Sequence, residues 1–395
     1  MNANQGATDW RSIAIVYAAG AVAALALLKA SPAALDLRAG LGLSLSQVAW
    51  ISSIFTLTTV ALGLFVGRWV ARFGARNLAA GGLLVMAIAG SATLFAIGPL
   101  SLLVGRFIEG IGFVLVVVSA PTLMASLADS RHSRLVLAIW ATWLPAGGVF
   151  ILLAAPLLLG WGGWQALWLC SVAAALVAFL LLTRVSAAPL AGDAPRVELG
   201  PALGRLTPWL LALAFALFTV QLYSVLMFAP VYLVEQLHFS VGQSTFIASV
   251  VLMMAVPAGL LGGGALHRGI APNRLMAIAF MLVGALVPCL VLFADSGYLA
   301  LGLLVIYGLC AGTLPPCIYA QAPAAAYVPA ATGIILGLVM AGNGLGILIG
   351  PPILAGVIEK TASWPMGALV PVAASVGGLA CAVALSRLNA QPADR

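Results

Sequence analysis

Three charged side chains stand in stretches that are otherwise apolar: Lys29, Arg106 and Glu109. Arg106 and Glu109 belong to the run LLVGRFIEGIGF and are three residues apart, so on a helix they share a face and can pair. Arginine offers a planar fork to a carboxylate-like group, and burial disfavours the ionised form of a glutamate. Lys29 and Arg106 are therefore candidates for binding an anionic or polar solute, and Glu109 is the candidate proton carrier.

Charged residues are rare in this chain, so each one inside an apolar stretch requires an explanation. Of the 395 residues, 63% are hydrophobic and only 7% are charged, whereas a soluble domain has about 25% charged residues. The chain is therefore predicted to be an all-α integral membrane protein with the lipid bilayer as its solvent. We attribute the net charge of +7 to basic loop ends and expect no nucleic-acid partner.

Apolar runs between polar breaks predict twelve transmembrane helices. They lie near 11–35, 46–69, 77–97, 99–127, 135–158, 164–184, 207–236, 241–266, 273–294, 297–321, 330–357 and 364–387. The polar stretch 185–206, rich in Pro, Gly and charge, divides them into two sets of six. We expect an N-terminal six-helix bundle (1–184), a cytoplasmic linker (185–206) and a C-terminal six-helix bundle (207–395).

Basic residues orient the helices, because cytoplasmic loops are enriched in Lys and Arg. With both termini in the cytoplasm, only Arg38 and Lys360 fall on the outer side. Thirteen of the 17 basic residues then fall on the cytoplasmic side: Arg11, Arg68, Arg72, Arg76, Arg131, Arg134, Arg184, Arg196, Arg205, Arg268, Arg274, Arg387 and Arg395. A bacterial inner-membrane protein with this orientation is predicted.

The two halves resemble each other. Gln47 and Arg72 are separated by 25 residues, as are Gln243 and Arg268. Ser-Leu-Ser-Gln ends at Gln47, and Ser-Val-Gly-Gln ends at Gln243. The matches indicate a duplicated six-helix unit related by a pseudo-two-fold axis, as in many secondary transporters.

The loop after the second predicted helix reads GRWVARFGAR and contains Gly67, Arg72, Gly74 and Arg76. This loop resembles the G-x-x-x-D-R-x-G-x-R motif of the major facilitator superfamily, with Ala71 in place of the aspartate. The resemblance implies that these four residues form a conformational gate. A plain basic loop that follows the orientation rule is the alternative.

The opening run carries a second resemblance to that superfamily, whose fourth helix often has R-x-x-Q-G-x-G. Here the motif consists of Arg106, Glu109, Gly110 and Gly112, with Glu in place of Gln. In that fold the first and fourth helices line a central cavity, which implies that Lys29 and Arg106 face it. Arg106 and Glu109 would be partly paired, with Lys29 as an unbalanced positive charge. A structural salt bridge, with Lys29 extending toward the membrane surface, is the alternative.

Two further comparisons concern the branch of the superfamily. Residues 141–148, ATWLPAGG, match the G-x-x-x-G-P-x-x-G-G motif of drug/proton antiporters poorly. Stretches 31–49, 223–259 and 342–356 resemble the cyanate and nitroimidazole transporter branch in their overall residue pattern.

Further polar and aromatic residues fall on predicted cavity helices or beside them, and each has packing as its alternative role. The candidates for substrate contact are Tyr17, Trp140, Gln221, Tyr223, Tyr307 and Asn343. Trp161 and Trp164 are expected in the aromatic belt at the outer membrane surface.

Enzyme signatures are missing from the sequence, which has no phosphate-binding loop and no His/Cys metal cluster. We therefore expect no enzymatic activity and no cofactor, and a monomer that moves a small molecule, with protons as the coupling ion. The first hypothesis is uptake of a small anionic or polar organic solute by alternating access, coupled to protons through Glu109. The alternative is proton-driven export of lipophilic drugs.

Overall fold

A computed structural model of the chain describes residues 8–129, 132, 136, 139–140, 142–186, 204–293, 297–326 and 332–390. The described part is helical. Its helices are α1 (Trp10–Leu28), α2 (Ala34–Leu41), α3 (Leu45–Ser53), a 3-10 turn (Ile54–Thr56), α4 (Leu57–Phe73), α5 (Ala75–Thr93), α6 (Pro99–Ser126), α7 (Trp143–Leu182), α8 (Leu206–Glu235), α9 (Val241–His267), α10 (Pro272–Phe293), α11 (Gly297–Ala311), α12 (Leu314–Tyr319), α13 (Ala322–Ala325), α14 (Thr332–Thr361), α15 (Trp364–Gly367) and α16 (Leu369–Ala390).

Eleven helical stretches of the described part are long and apolar enough to span a membrane. One of them, α7, has 40 residues and contains two of the predicted spans, because Gly162 and Gly163 have non-helical angles within it. Gly163 has a φ of +61°, a backbone conformation that is unfavourable for residues with a Cβ. The prediction of an all-α membrane protein with twelve spans is confirmed.

Several boundaries differ from the prediction: span 46–69 is divided among α3, the 3-10 turn and α4, and span 364–387 between α15 and α16. The first predicted span runs to residue 35, but α1 ends at Leu28, and a turn that contains Ser31 and Pro32 separates it from α2. Proline fixes φ and removes a hydrogen-bond donor, so it favours a break here. The predicted span 297–321 is likewise divided between α11 and α12.

The packing divides the chain into two compact units. Unit 1 consists of Met1–Leu43 and Ile54–Gly192, and unit 2 of Ser44–Ser53 and Asp193–Arg395. Helix α3 therefore packs with the second unit although it was predicted within the first bundle. Most of the predicted linker, 187–203, lies outside the described residues, so the predicted domain limits stay a prediction.

Unit 1 is built on close helix contacts. Helix α5 packs along α6, and α1 packs along α7. At the α5–α6 crossing, a Cβ on Gly82 would lie 2.5 Å from the carbonyl oxygen of Gly112, so only glycine allows this approach. At the α1–α7 crossing, Gly147 lies directly against the carbonyl of Ala21. Outside the bundle core, Asp9 caps α1 by accepting a hydrogen bond from the Ser12 amide at 3.1 Å.

Unit 2 follows the same packing principle. Helix α8 packs along α14 and α16, and small residues of α14 spaced four apart face the α8 backbone: Gly342, Gly346 and Gly350.

The repeated Ser-x-x-Gln motifs form the same local structure in both places. Ser44 and Gln47 exchange two hydrogen bonds at the start of α3, at 2.9 and 3.1 Å. Ser240 and Gln243 exchange the same pair at the start of α9, at 3.0 and 3.2 Å. Each is a capping box, which satisfies amides that the first helical turn leaves free.

Candidate functional site: a buried charge cluster in unit 1

The site is located where α1 ends inside unit 1. The last turn of a helix leaves carbonyl groups without intrahelical donors, and Arg106 of α6 supplies donors to two of them. Its Nη1 donates to the carbonyl of Ala26 at 2.8 Å, and its Nη2 donates to that of Leu27 at 3.2 Å. The end of α1 therefore fixes the guanidinium, and Lys29 is the C-cap residue that follows Leu28.

Lys29, Arg106 and Glu109 form one contact group, which we call the buried charge cluster. Lys29 Nζ lies 2.7 Å from Glu109 Oε1, and Arg106 Nη1 lies 2.6 Å from Glu109 Oε2. The three side chains are 0%, 0% and 1% exposed, respectively. Of the Lys, Arg, Asp and Glu residues whose burial the structure describes, only these three are buried.

Uncharged neighbours enclose the cluster. Ser171 of α7 lies 3.3 Å from Lys29 Nζ. The Lys29 ammonium lies 4.6 Å from the ring centroid of Trp168, and the Arg106 guanidinium lies 4.2 Å from that of Phe55. Rings in these positions stabilise cations through their π faces. Gly90 of α5 leaves room for the carboxylate, because a Cβ there would lie 2.8 Å from Glu109 Oε1.

The arrangement has an electrostatic consequence. Two cations share a single carboxylate, so the buried net charge is +1 when all three groups are ionised. A buried charge is tolerated when it is paired and hydrogen-bonded, and here every charged group is.

The predictions for these residues have mixed outcomes. The Arg106–Glu109 pairing is present. The excess positive charge predicted for the group is present, but Lys29 also binds Glu109, so Arg106 and Lys29 share that carboxylate. The alternative that Lys29 extends to the membrane surface is wrong, because Lys29 is fully buried. Direct contact of Lys29 or Arg106 with a substrate stays a prediction, and both side chains are closed off from solvent in this structure.

The other unit 1 candidates lie beside the middle of α1. The Tyr17 hydroxyl lies 2.9 Å from Thr142 Oγ1. Trp140 stacks on Trp143 with ring centroids 5.5 Å apart, and its ring packs against Gly20. Both indoles and Tyr17 are half-buried, so they are more accessible than the charge cluster.

The unit 2 candidates do not form one group in the contacts of the described residues. Gln221 is fully buried, and its Oε1 accepts a hydrogen bond from Ser375 at 2.7 Å. Tyr223 and Tyr307 are buried at 8% and 1% exposure. Within the described part, the Tyr307 hydroxyl and Gln221 Nε2 lack a hydrogen-bond partner. Asn343 is half-buried, and its main-chain carbonyl accepts from Thr219 at 3.0 Å.

The predicted gate residues surround the α4–α5 junction. Gly74 joins the helices with a φ of +82°, and Gly67 lies within α4. Arg76 donates to the carbonyl of Val185 at 3.0 Å, just after α7 ends. Arg72 is exposed. These contacts define a structural role for Gly74 and Arg76, and the gating role stays a prediction.

Sequence reasoning missed the residues that enclose the cluster. Ser171 is a polar residue within an apolar run, which was a usable signal, whereas Gly90 and Phe55 carried none. Trp164 was expected in an interfacial belt, but it is 4% exposed and packs edge-on against Trp168, so that prediction is wrong. Trp161 is 73% exposed. In the described residues, no three His, Cys, Asp or Glu side chains are placed to hold a metal.

Solved structures resemble this fold closely. A bacterial homologue of the human lysosomal transporter Spinster, crystallised in an inward-facing and occupied conformation, matches with a TM-score of 0.80 at 18% identity, over 98% of this chain and 100% of that chain. The inward-facing and unoccupied form matches with a TM-score of 0.73 at 16% identity, over 97% and 96% of the two chains. At these identities the likeness shows the fold alone.

Sequence comparison identifies the family. Methylenomycin A resistance protein of Bacillus subtilis (strain 168) is 27% identical over 435 aligned residues, which cover 90% of this chain and 89% of the relative. The family model of the Major Facilitator Superfamily matches residues 12–335, most of the chain. The family consists of transporters and not enzymes, in agreement with the sequence-based prediction. The chain is a multi-pass membrane transporter that belongs to the major facilitator superfamily.

Proposed function

We propose that this chain exports a small organic compound across the bacterial plasma membrane in exchange for protons, with both termini in the cytoplasm. The observation that carries the proposal is the buried charge cluster, in which one carboxylate lies between two cations inside a membrane-spanning bundle. Intramembrane ionisable groups usually belong to ion or substrate pathways. Coupling follows when the charge of such a cluster favours one conformation over another.

The proposed direction of transport, export, is supported by the similarity to a resistance protein. The relative from Bacillus subtilis is named for resistance to methylenomycin A, and a resistance protein in a transporter family lowers the internal concentration of its compound. This favours the alternative hypothesis from the sequence over the first. Methylenomycin A is accordingly the first compound to test on this chain.

A second candidate function is uptake of a small organic anion, the first hypothesis from the sequence. The net charge of +1 on the cluster favours it, because a positive site attracts an anion. The burial of Lys29 and Arg106 disfavours it, since neither head group is open to a solute here. Where the cluster becomes accessible during the transport cycle, the same charge favours an acidic or neutral exported compound over a cationic one.

The test uses a methylenomycin-sensitive bacterium that expresses the full chain. Export predicts a higher inhibitory concentration of methylenomycin A and less compound inside the cells, with both effects lost when a protonophore is added. Glu109→Gln should abolish both effects, because it leaves two buried cations without their anion. Glu235→Gln is the matched control, since Glu235 is exposed at the end of α8.

Three results would contradict the proposal. Greater accumulation and greater sensitivity would indicate uptake. Unchanged tolerance despite normal expression in the membrane would exclude methylenomycin A export. Full activity of Glu109→Gln would exclude the cluster as the coupling element. Benzoate accumulation in the same cells tests the second candidate, which requires uptake that depends on Arg106.

A further inference from the structure

Among the described residues, the buried charge cluster is isolated from other charged side chains. Five elements of unit 1 enclose it: α1, the 3-10 turn, α5, α6 and α7. The charged groups that face Lys29 are Arg106 and Glu109, and Cys170 of α7 is the other titratable neighbour. Cys170 is half-buried and is a neutral thiol in an apolar setting. A proton that enters or leaves the site therefore changes the charge of the three cluster residues.

The two possible proton steps have different costs. Adding a proton to Glu109 raises the net charge from +1 to +2 and leaves two buried cations without an anion. Removing a proton from Lys29 lowers the net charge to 0 and leaves the Arg106–Glu109 pair intact at 2.6 Å. A protein interior penalises uncompensated charge strongly, so the second step is the favoured one.

The hydrogen bonds support the same step. Both oxygens of Glu109 contact a cation, so a proton on either oxygen would displace a charge-assisted hydrogen bond. A neutral Lys29 amine would still donate an N–H to Glu109 Oε1. The Ser171 hydroxyl, 3.3 Å from Nζ, can turn from acceptor to donor and bind the nitrogen lone pair. Arg106 cannot take this role, because a guanidinium does not lose its proton in proteins.

We propose that Lys29, and not Glu109, carries the exchanged proton; this inference rests on the proton coupling proposed above. When alternating access opens the cluster to water on one side of the membrane, the Nζ–H bond of the ammonium breaks, the proton passes to that water, and the electron pair stays on Nζ. Rebinding a proton from the other side of the membrane restores the ammonium. The cluster thus alternates between charges of +1 and 0, while Glu109 stays ionised and keeps Arg106 in place.

Lysine labelling tests this directly, because the chain has only two lysines, Lys29 and Lys360. Lys360 is exposed at the end of α14. The full chain is labelled with [6-13C]lysine, placed in phosphatidylcholine nanodiscs and followed by NMR as the pH is changed. The Lys360→Arg variant retains only the Lys29 signal and so assigns both. We expect the Lys29 signal to titrate at a proton concentration at least about tenfold higher than the Lys360 signal. [5-13C]Glutamate labelling should show Glu109 ionised over the same pH range.

The opposite result would overturn the inference. If Lys29 titrates together with Lys360 while Glu109 changes its ionisation, Glu109 carries the proton and the proposed coupling survives without Lys29. If neither titrates between pH 5 and pH 10, both the inference and the proton coupling fail. If Lys29 titrates as expected but no compound is transported, the proposed export fails alone.

Lys29→Arg provides a second test with a functional readout. It keeps the cation but cannot release the proton, so methylenomycin A transport driven by a pH gradient should fall at least tenfold. Exchange of labelled for unlabelled compound, which needs no net proton movement, should persist. A merely structural ion pair predicts rescue by arginine, and full pH-driven transport would overturn the inference. Lys360→Arg is the control, and the labelling experiment decides if Lys29→Arg does not fold.

Discussion

Glu109→Gln should destabilise unit 1 far more than Lys29→Met, although each removes one member of the same ion pair. The reason is the charge that each variant leaves buried. With all groups ionised, the wild-type cluster carries +1, Glu109→Gln leaves +2, and Lys29→Met leaves 0. The double variant Lys29→Met/Glu109→Gln returns to +1.

The contacts set the magnitudes. Glu109→Gln removes the anion from two contacts of 2.7 and 2.6 Å, and leaving a buried charge uncompensated costs about 3–5 kcal/mol. Lys29→Met loses one charge-assisted hydrogen bond, worth about 1.5–3 kcal/mol, but it also removes an ammonium whose desolvation costs several kcal/mol. We expect Lys29→Met to change the free energy of unfolding by less than about 1.5 kcal/mol in either direction. The double variant should recover about 1–3 kcal/mol relative to Glu109→Gln.

The free energies of unfolding can be measured by titrating dodecylmaltoside-solubilised protein with dodecyl sulfate and following tryptophan fluorescence. Lys360→Met is the matched control, because Lys360 is exposed and its replacement should change stability by less than about 0.5 kcal/mol. The charge-balance reasoning is refuted if Lys29→Met costs as much as Glu109→Gln, or if the double variant shows the sum of both losses.

Three further variants test the packing and the N-terminal cap. Gly90→Ala should cost about 1–3 kcal/mol, because its Cβ would lie 2.8 Å from the buried carboxylate, whereas Gly81→Ala on the same helix meets open space and should not destabilise in the same unfolding assay. Gly147→Ala should lower thermal stability because its Cβ would collide with the α1 backbone, while Gly160→Ala, with open space on the same helix, should not. The pKa of Asp9 is lowered by its hydrogen bonds to the first turn of α1, so its contribution is present above the ordinary carboxyl pKa and is lost as the pH falls through the lowered one. Asp9→Ala should therefore lower the melting temperature at pH 7 and have a smaller effect at pH 3; equal effects at both would refute the cap.

The sequence predicted those features that arise from local composition. Long apolar runs predicted the spans because a bilayer requires about 20 apolar residues per helix. The same contrast identified Lys29, Arg106 and Glu109, since charge within an apolar run is costly. Helical spacing also predicted the Arg106–Glu109 contact, which joins residues three apart on α6.

Features that depend on tertiary packing were not predictable in this way. The contact between Lys29 and Glu109 joins residues 80 positions apart, and it requires α1 to end at Leu28. Pro32 favours a break in this region, but the end of α1 at Leu28 is also stabilised by a guanidinium from another helix, which the sequence does not show. The space beside Gly90 exists only in the α5–α6 packing, so one sequence alone gives no sign of it.

The central claim, that the buried charge cluster couples proton movement to compound movement, is tested most directly in proteoliposomes with a pH-sensitive dye inside. Methylenomycin A is added outside in the absence of a pH gradient, and protein-free liposomes measure its passive entry. Antiport predicts that the lumen becomes more alkaline as the compound enters, and that Glu109→Gln removes this change while Glu235→Gln retains it. A lumen that becomes more acidic than the protein-free control would indicate symport, and compound entry with no pH change beyond that control would contradict coupling altogether.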